Sequence, residues 1–443
     1  MIHLVQADAT KLPLADQSVH CVVTSPPYFS LRDYGTGTWE GGSADCDHKQ
    51  ELPRFNGPKQ TQAQVSGHAS NAERNGRRTC QKCGATRIDL QIGLEKTPDE
   101  FVAKMVQVFR EVWRVLRDDG TLWLNLGDSY TSGNRVGHGT RVGNKQETNA
   151  GCLSTGDRRP SVPDGLKPKD LIGIPWMLAF ALRADGWYLR SDIVWAKPNG
   201  MTESVTDRPT RSHEFIFLLT KKPRYFYDSF AIREPTTAKS KSAGRNSRAY
   251  PNHPAARKNR QPLGRSGVEQ NPPWDGGEFR NKRSVWTVAV HPFKGAHFAV
   301  FPQKLITPCI LAGTSEKGCC PQCGAQWKRI VERKRVATRP GVDTKTSGLN
   351  GSVIGNRDPQ RHCTTTKTVG WQPGCACGRE PVPCTVLDPF SGAGTTALVC
   401  KWLGRSAIGV ELSADYIRMA QDRIARNGER PKAKDAKEEL LLF

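Results

Sequence analysis

One stretch constrains this chain more than any other: Val386-Leu387-Asp388-Pro389-Phe390-Ser391-Gly392-Ala393-Gly394-Thr395-Thr396. A short apolar run stops at a proline, passes through two closely spaced glycines and continues into a helix-like pattern at 395–403. A buried strand that turns through glycine into a helix lets backbone approach a ligand at the strand's carboxyl end. Glu411 follows 17 residues after Gly394, at the end of the next strand-like run (405–410). A carboxylate there can accept hydrogen bonds from both hydroxyls of a ribose. Strand (384–388), helix (395–403), strand (405–410) and helix (413–426) alternate as in an α/β, doubly wound, mostly parallel sheet. The third glycine expected of a nicotinamide-dinucleotide turn is absent.

The rest of the chain alternates between patterned and unpatterned segments. Val19–Thr24 is β-branched and ends at two adjacent prolines, which cannot continue a central strand. Thr97 and Pro98 open a helix whose apolar face is Phe101, Met105, Val108, Val112, Val115 and Leu116. Asp118-Asp119-Gly120 is expected to end it, with a strand at 121–126. Further elements are expected near 170–184, 188–196, 214–220 and 302–312. The implied organisation is a catalytic-loop segment at 1–39, a cysteine/histidine insertion at 40–90, and core at 91–234 with a mobile loop at 131–168. A basic region at 235–285, core at 286–318 and 379–430, a second cysteine insertion at 319–378 and a tail at 431–443 complete it.

Thr24-Ser25-Pro26-Pro27-Tyr28 is the second chemical segment. Two prolines stiffen a turn whose carbonyl oxygens face outward, beside an aromatic ring. A serine hydroxyl and a proline carbonyl can accept hydrogen bonds from an exocyclic amine while Tyr28 stacks on its base. Together, Thr-Ser-Pro-Pro-Tyr and Asp-Pro-Phe-x-Gly-x-Gly-Thr-Thr resemble the S-adenosylmethionine-dependent DNA amino-methyltransferases. The order of catalytic loop, variable basic region and cofactor glycines matches the circularly permuted beta class, with a Rossmann-like core.

The resemblance implies Ser25, Pro26, Pro27 and Tyr28 as the catalytic loop. It implies a cofactor site from Asp8 (adenine), Phe298, Phe301 and Pro302 (methionine part), with Thr24, Asp388, Pro389, Phe390, Gly392, Gly394, Thr395, Thr396 and Glu411. Asp192–Asn199 resembles the family's motif before the target-recognition region, which makes Lys197 a DNA contact. The target base must leave the duplex, because its amino group is otherwise paired. Within the family that the chain resembles, Ser-Pro-Pro-Tyr leans toward N4 of cytosine and Asp-Pro-Pro-Tyr toward N6 of adenine. C5 methylation would need a catalytic Pro-Cys; Pro308-Cys309 and Pro383-Cys384 lack that context and are expected to be packing thiols.

Fourteen cysteines bear on metal rather than disulfides if the chain is cytoplasmic, as expected from a start without a basic-then-apolar leader. Cys320, Cys323, Cys375 and Cys377 offer four thiolates in two short-spaced pairs, each followed by glycine, the pattern of a structural zinc site. Cys46, His48, Cys80 and Cys83 offer a second set. The formal charge of +22 points to a polyanion, here double-stranded DNA. Residues 235–283 carry 11 Lys or Arg against 3 Asp or Glu; Arg245, Arg248, Arg257, Lys258, Arg260 and Arg265 are the candidate phosphate and base contacts. A cognate restriction endonuclease is a candidate partner, and no membrane association is expected. Adenine-N6 methylation by the same site and a non-catalytic zinc-dependent DNA-binding protein remain the alternative readings.

Overall fold

The computed structural model describes residues 1–29, 37–43, 45–46, 80, 82–131, 165–235, 279–290, 300–337 and 362–427. The chain divides into two compact units. The first comprises Met1–Phe226, Ser284–Thr314 and Pro383–Phe443; the second comprises Tyr227–Arg283 and Ser315–Val382. Segments expected as separate insertions, the basic region and the second cysteine segment, thus share one unit.

In chain order the strands are β1 (Ile2–Gln6), β2 (Val19–Thr24), β3 (Thr38–Glu40), β4 (Thr86–Ile88), β5 (Leu116–Leu126), β6 (Tyr188–Ala196) and β7 (His213–Thr220). They continue with β8 (Glu234–Pro235), β9 (Phe279–Arg280), β10 (Val285–Thr287), β11 (Lys328–Ala337), β12 (His362–Gln372), β13 (Thr385–Asp388) and β14 (Ser406–Glu411). The α-helices are α1 (Pro98–Val115), α2 (Ile174–Ala184), α3 (Gln303–Gly313), α4 (Thr395–Trp402) and α5 (Ala414–Arg426).

Eight strands of the first unit form one sheet in the order β1-β14-β13-β2-β5-β7-β6-β10. All neighbours pair in parallel except β7, which runs antiparallel to both β5 and β6. β2 is buried along its whole length, as a central strand covered on both faces must be. Helix α1 starts as its sequence dictates: the Thr97 hydroxyl accepts from the Glu100 amide, and Pro98 fills the first turn. Its face of Phe101, Met105, Val108, Phe109, Val112 and Val115 is fully buried in the core.

The expected stop at Asp118–Gly120 is not a separate turn. β5 begins at Leu116 and runs through these residues, absorbing them as an irregularity opposite β2 between Val19 and Cys21. Glycine is required there, since a Cβ at position 120 would lie 2.9 Å from the His20 carbonyl oxygen and 2.5 Å from the Leu116 side chain. Helix α2 begins at Ile174 rather than near 170, because Asp128 Oδ1 accepts from the Gly173 and Ile174 amides at its start.

The second unit holds a hairpin the sequence pattern did not announce: β11 and β12 pair antiparallel over ten positions. Arg329 anchors it, reaching both oxygens of Asp228 and stacking 4.4 Å from the Trp371 ring centroid. No helix among the described residues is long and apolar enough to cross a membrane.

Candidate functional site

The carboxyl ends of β1, β14, β13 and β2 lie side by side, so the loops that follow them share one edge of the sheet. Between these loops is an open cleft. It is lined by Ala7, Asp8 and Ala9 after β1, by Pro389, Phe390 and Gly392 after β13, and by Glu411, Leu412 and Tyr416 after β14. Pro27 of the Pro-Pro loop and Leu90-Gln91-Ile92 close the remaining wall.

Glycine works at two points of the β13 turn. Gly392 and Gly394 have φ of +48° and +71°, the left-handed region that other residues reach at a cost. At Gly394 a Cβ would come within 2.8 Å of the Ala420 Cβ on α5. Gly394 therefore serves the turn and the helix contact, while Gly392 faces the cleft.

Two carboxylates hold this turn. Glu411 Oε2 accepts from the Gly392 amide (2.8 Å) and Oε1 from the Ser413 amide (3.0 Å). A carboxylate has about four acceptor positions, so Glu411 keeps capacity for hydroxyls in the cleft. Burial raises its pKa, opposed by those amides. Asp388 is fully buried and lies beneath the turn. Its Oδ1 accepts from Thr24 Oγ1 (2.7 Å) and the Phe390 amide (3.1 Å), and its Oδ2 from Thr396 Oγ1 (2.7 Å). Burial pushes its pKa up to about 6, against the lowering effect of those bonds. Thr24, Thr395 and Thr396 are buried with it. Of the expected cofactor residues, Asp8, Pro389, Phe390, Gly392 and Glu411 line the cleft, whereas Thr24, Asp388, Gly394, Thr395 and Thr396 do not.

The cleft suits a nucleoside bearing a cationic centre. It combines apolar surface from Ile92, Leu412 and Phe390 with two carboxylates, Asp8 and Glu411, the mostly apolar lining with a few polar groups usual for a small-molecule site. Phe301 and Pro302 precede α3, outside the cleft's lining, and Phe298 lies outside the described residues. Leu90, Gln91, Ile92, Leu412 and Tyr416 escaped the sequence reading. Only Leu412, next to Glu411, carried any local signal.

The Pro-Pro loop leaves β2 directly. Pro26 is buried, Ser25 and Tyr28 are half-buried, and no described residue bonds to the Ser25 hydroxyl. The Tyr28 hydroxyl donates to Glu214 Oε2 at 2.7 Å. Lys197, expected to touch DNA, has its ammonium paired with Glu214 and set 4.4 Å over the Trp195 ring. Arg245, Arg248, Arg257, Lys258, Arg260 and Arg265 lie outside the described residues.

The profile of the DNA methylase family, the N6/N4 methyltransferases, matches residues 19–320 and 384–422. The chain belongs to this family. It is an S-adenosylmethionine-dependent DNA amino-methyltransferase. Among its relatives is the Type II methyltransferase M.Cfr9I of Citrobacter freundii, 36% identical over 411 residues that cover 93% of this chain and 83% of the relative. M.XycI of Xanthomonas campestris pv. cyanopsidis is 37% identical over the same shares of both chains. M.SmaI of Serratia marcescens is 34% identical over 92% of this chain and 84% of its own. The solved PvuII DNA methyltransferase, described as cytosine-N4-specific, aligns with all of this chain and 91% of its own at 11% identity and a TM-score of 0.45.

The methylase also gathers cysteines. In the second unit the sulfurs of Cys320, Cys323, Cys375 and Cys377 all lie within 4.8 Å of one another, with Cys323 and Cys377 3.6 Å apart. Four thiolates about 2.3 Å from one tetrahedral ion would be about 3.8 Å apart. In the first unit Cys46, Cys80 and Cys83 cluster in the same way; His48 lies outside the described residues. Both clusters use one knuckle. The Cys80 amide donates to Ala85 O and the Gly84 amide to Cys80 O, while the Cys320 amide donates to Ala325 O and the Gly324 amide to Cys320 O. Gly84 and Gly324 have φ of +74° and +71°. Cys309 and Cys384 are buried in the first unit.

Proposed function

We propose that this methylase modifies N4 of cytosine in duplex DNA, taking the base out of the helix to reach it. The observation that carries the reading is the Ser25 hydroxyl. Ser25 is half-buried, next to the buried Pro26, in a loop whose Pro27 forms part of the cleft wall, and no described residue bonds to its hydroxyl. S-adenosylmethionine supplies an electrophilic methyl group on a sulfonium when bound. Asp8, Gly392 and Glu411 are the residues that would hold it.

The chain's own part is orientation. The amine lone pair of cytosine is delocalised into the ring, which makes the nitrogen a weak nucleophile. Accepting the amine's two hydrogens at Ser25 Oγ and the Pro26 carbonyl oxygen draws that pair back onto nitrogen. Tyr28 stacks on the base and holds the nitrogen toward the cleft. Positioning of this kind can contribute several kcal/mol to the barrier. Within the family, serine rather than aspartate before Pro-Pro-Tyr leans toward cytosine N4, and this is what supports N4 over adenine N6.

The test is product identity. DNA from an unmethylated host expressing the protein is divided, one part digested to nucleosides to identify the modified base and the other sequenced intact for modified positions. N4-methylcytosine at one recurring sequence is expected; N6-methyladenine alone overturns the reading. A restriction endonuclease cutting that sequence would be its companion.

We also propose structural zinc at Cys320, Cys323, Cys375 and Cys377, and at Cys46, Cys80 and Cys83 with His48. The matched knuckle turns support both. Metal analysis of protein purified without chelator is expected to approach two equivalents. One equivalent would remove the first-unit site, and none in active protein would remove both.

A further inference from the structure

Glu214 is assigned no role by the sequence motifs, yet it stands behind the base-stacking residue. β7 runs against its neighbours, so its amino end reaches the edge where the parallel strands end, and Glu214 lies beside Trp195 of β6 there. The carboxylate is mostly enclosed, with its side chain 14% exposed. Its oxygens divide the work. Oε2 accepts from the Tyr28 hydroxyl (2.7 Å) and from Asn125 Nδ2 (3.3 Å), and Oε1 takes the Lys197 ammonium.

Each partner is itself held. Asn125 Nδ2 also donates to the Phe215 carbonyl oxygen (3.0 Å), and Asn125 Oδ1 lies 3.4 Å from the Tyr28 hydroxyl. Lys197 sits over Trp195, and its amide donates to Ser212 O. Gly127 is close to the ring as well: a Cβ there would come 2.6 Å from Tyr28 Cε2 and 3.2 Å from Glu214 Cδ. The ring therefore has glycine beside its Cε2 edge, where a side chain would not fit, and is tied by its hydroxyl at the end. A carboxylate this enclosed is costly unless paired, and Lys197 pairs it.

We propose that Glu214 is a positioning residue for the target base. With Lys197 and Asn125 it fixes the Tyr28 ring before DNA arrives, so the extruded base meets an ordered stacking surface. The inference rests on Ser25–Tyr28 being the base-binding loop. An aromatic ring ordered in advance spares part of the ordering cost of binding. The effect should pass through the Tyr28 hydroxyl and leave cofactor binding untouched.

The test is a double-mutant cycle of Glu214→Gln and Tyr28→Phe in the full-length protein. The readouts are single-turnover methyl transfer at saturating DNA and fluorescence of a duplex with 2-aminopurine at the target position. Each single variant is expected to lose roughly tenfold in rate and to dim the flipped-base signal, with S-adenosylmethionine affinity unchanged. The double variant is expected to lose no more than either alone. Losses that multiply would assign Glu214 a general structural role and overturn the proposal. So would a Tyr28→Phe variant with wild-type rate and fluorescence, a variant that keeps the ring and its packing. Tyr28→Ala separates the two levels of the argument. If it transfers at the wild-type rate, the loop reading itself fails; if it is inactive while Glu214→Gln is unimpaired, only the positioning role fails.

Discussion

The glycine turn after β13 and the proline loop after β2 leave adjacent parallel strands, with Leu387 opposite Val22, yet they are built on opposite principles. The first relies on freedom: Gly392 and Gly394 take positive φ. Its polar neighbours are consumed in holding the turn, since Asp388, Thr24 and Thr396 bond to one another out of solvent. The second relies on restriction: Pro26 and Pro27 stiffen the backbone and leave the Ser25 hydroxyl to be met from outside. A small cofactor can be recognised by close backbone approach, which needs residues without bulk. An amine that must be aimed needs side-chain and carbonyl acceptors held still. Asp388 joins the two designs, because one of its oxygens bonds both to Thr24 at the start of the loop and to Phe390 in the turn.

The largest expected effect breaks the glycine side. Gly394→Val combines a left-handed φ with a Cβ 2.8 Å from Ala420. It should destabilise the fold by about 2–5 kcal/mol in denaturant unfolding. Unchanged stability would mean that the turn does not depend on glycine there.

Asp388→Asn probes the joint. The carboxyl pKa rises from 3.8 to about 6 through burial, so the folded protein holds this proton more tightly than the unfolded chain does. Its contribution is greatest below the unfolded value and is lost as pH rises toward 6. At about 1.4 kcal/mol per unit, the wild type should lose about 2.5 kcal/mol relative to the variant between pH 4 and 7. Parallel stability–pH curves for the two proteins would refute the assignment.

The proline side should respond in function rather than stability. If Tyr28 is the proposed stacking surface, Tyr28→Ala should cost about 1–3 kcal/mol in DNA affinity, with S-adenosylmethionine binding retained in calorimetry. Ser25→Ala should lower the single-turnover rate by about 0.5–1.5 kcal/mol, the worth of one hydrogen bond. Equal losses of cofactor binding in both would erase the contrast between the loops.

Both loops could be read from sequence because each is local. Two glycines between an apolar run and a helix, or two prolines after β-branched residues, restrict backbone angles over a few positions whatever surrounds them. The same holds for the knuckles, where Cys-x-x-Cys-Gly sets a turn within six residues. Glu411 was legible as well, since it ends the strand after the turn. The roles within the glycine turn were not. Asp388, Thr395 and Thr396 look like ligand contacts by adjacency, but all three are buried and bonded within the protein, Asp388 with Thr396 and Thr395 with Arg423.

What the sequence determined by itself, then, is the set of short turns and the residue types they carry, because local sterics and chain connectivity suffice for those. Tertiary structure decided which distant groups meet. Leu90–Ile92 became a wall of the cleft only through packing across the sheet edge, and the four second-unit thiolates met only because the chain returns after the β11–β12 hairpin. Glu214 reached Tyr28 because β7 is antiparallel. A strand reads the same in either direction from its own residues; its direction follows from the connections and neighbours that bury it.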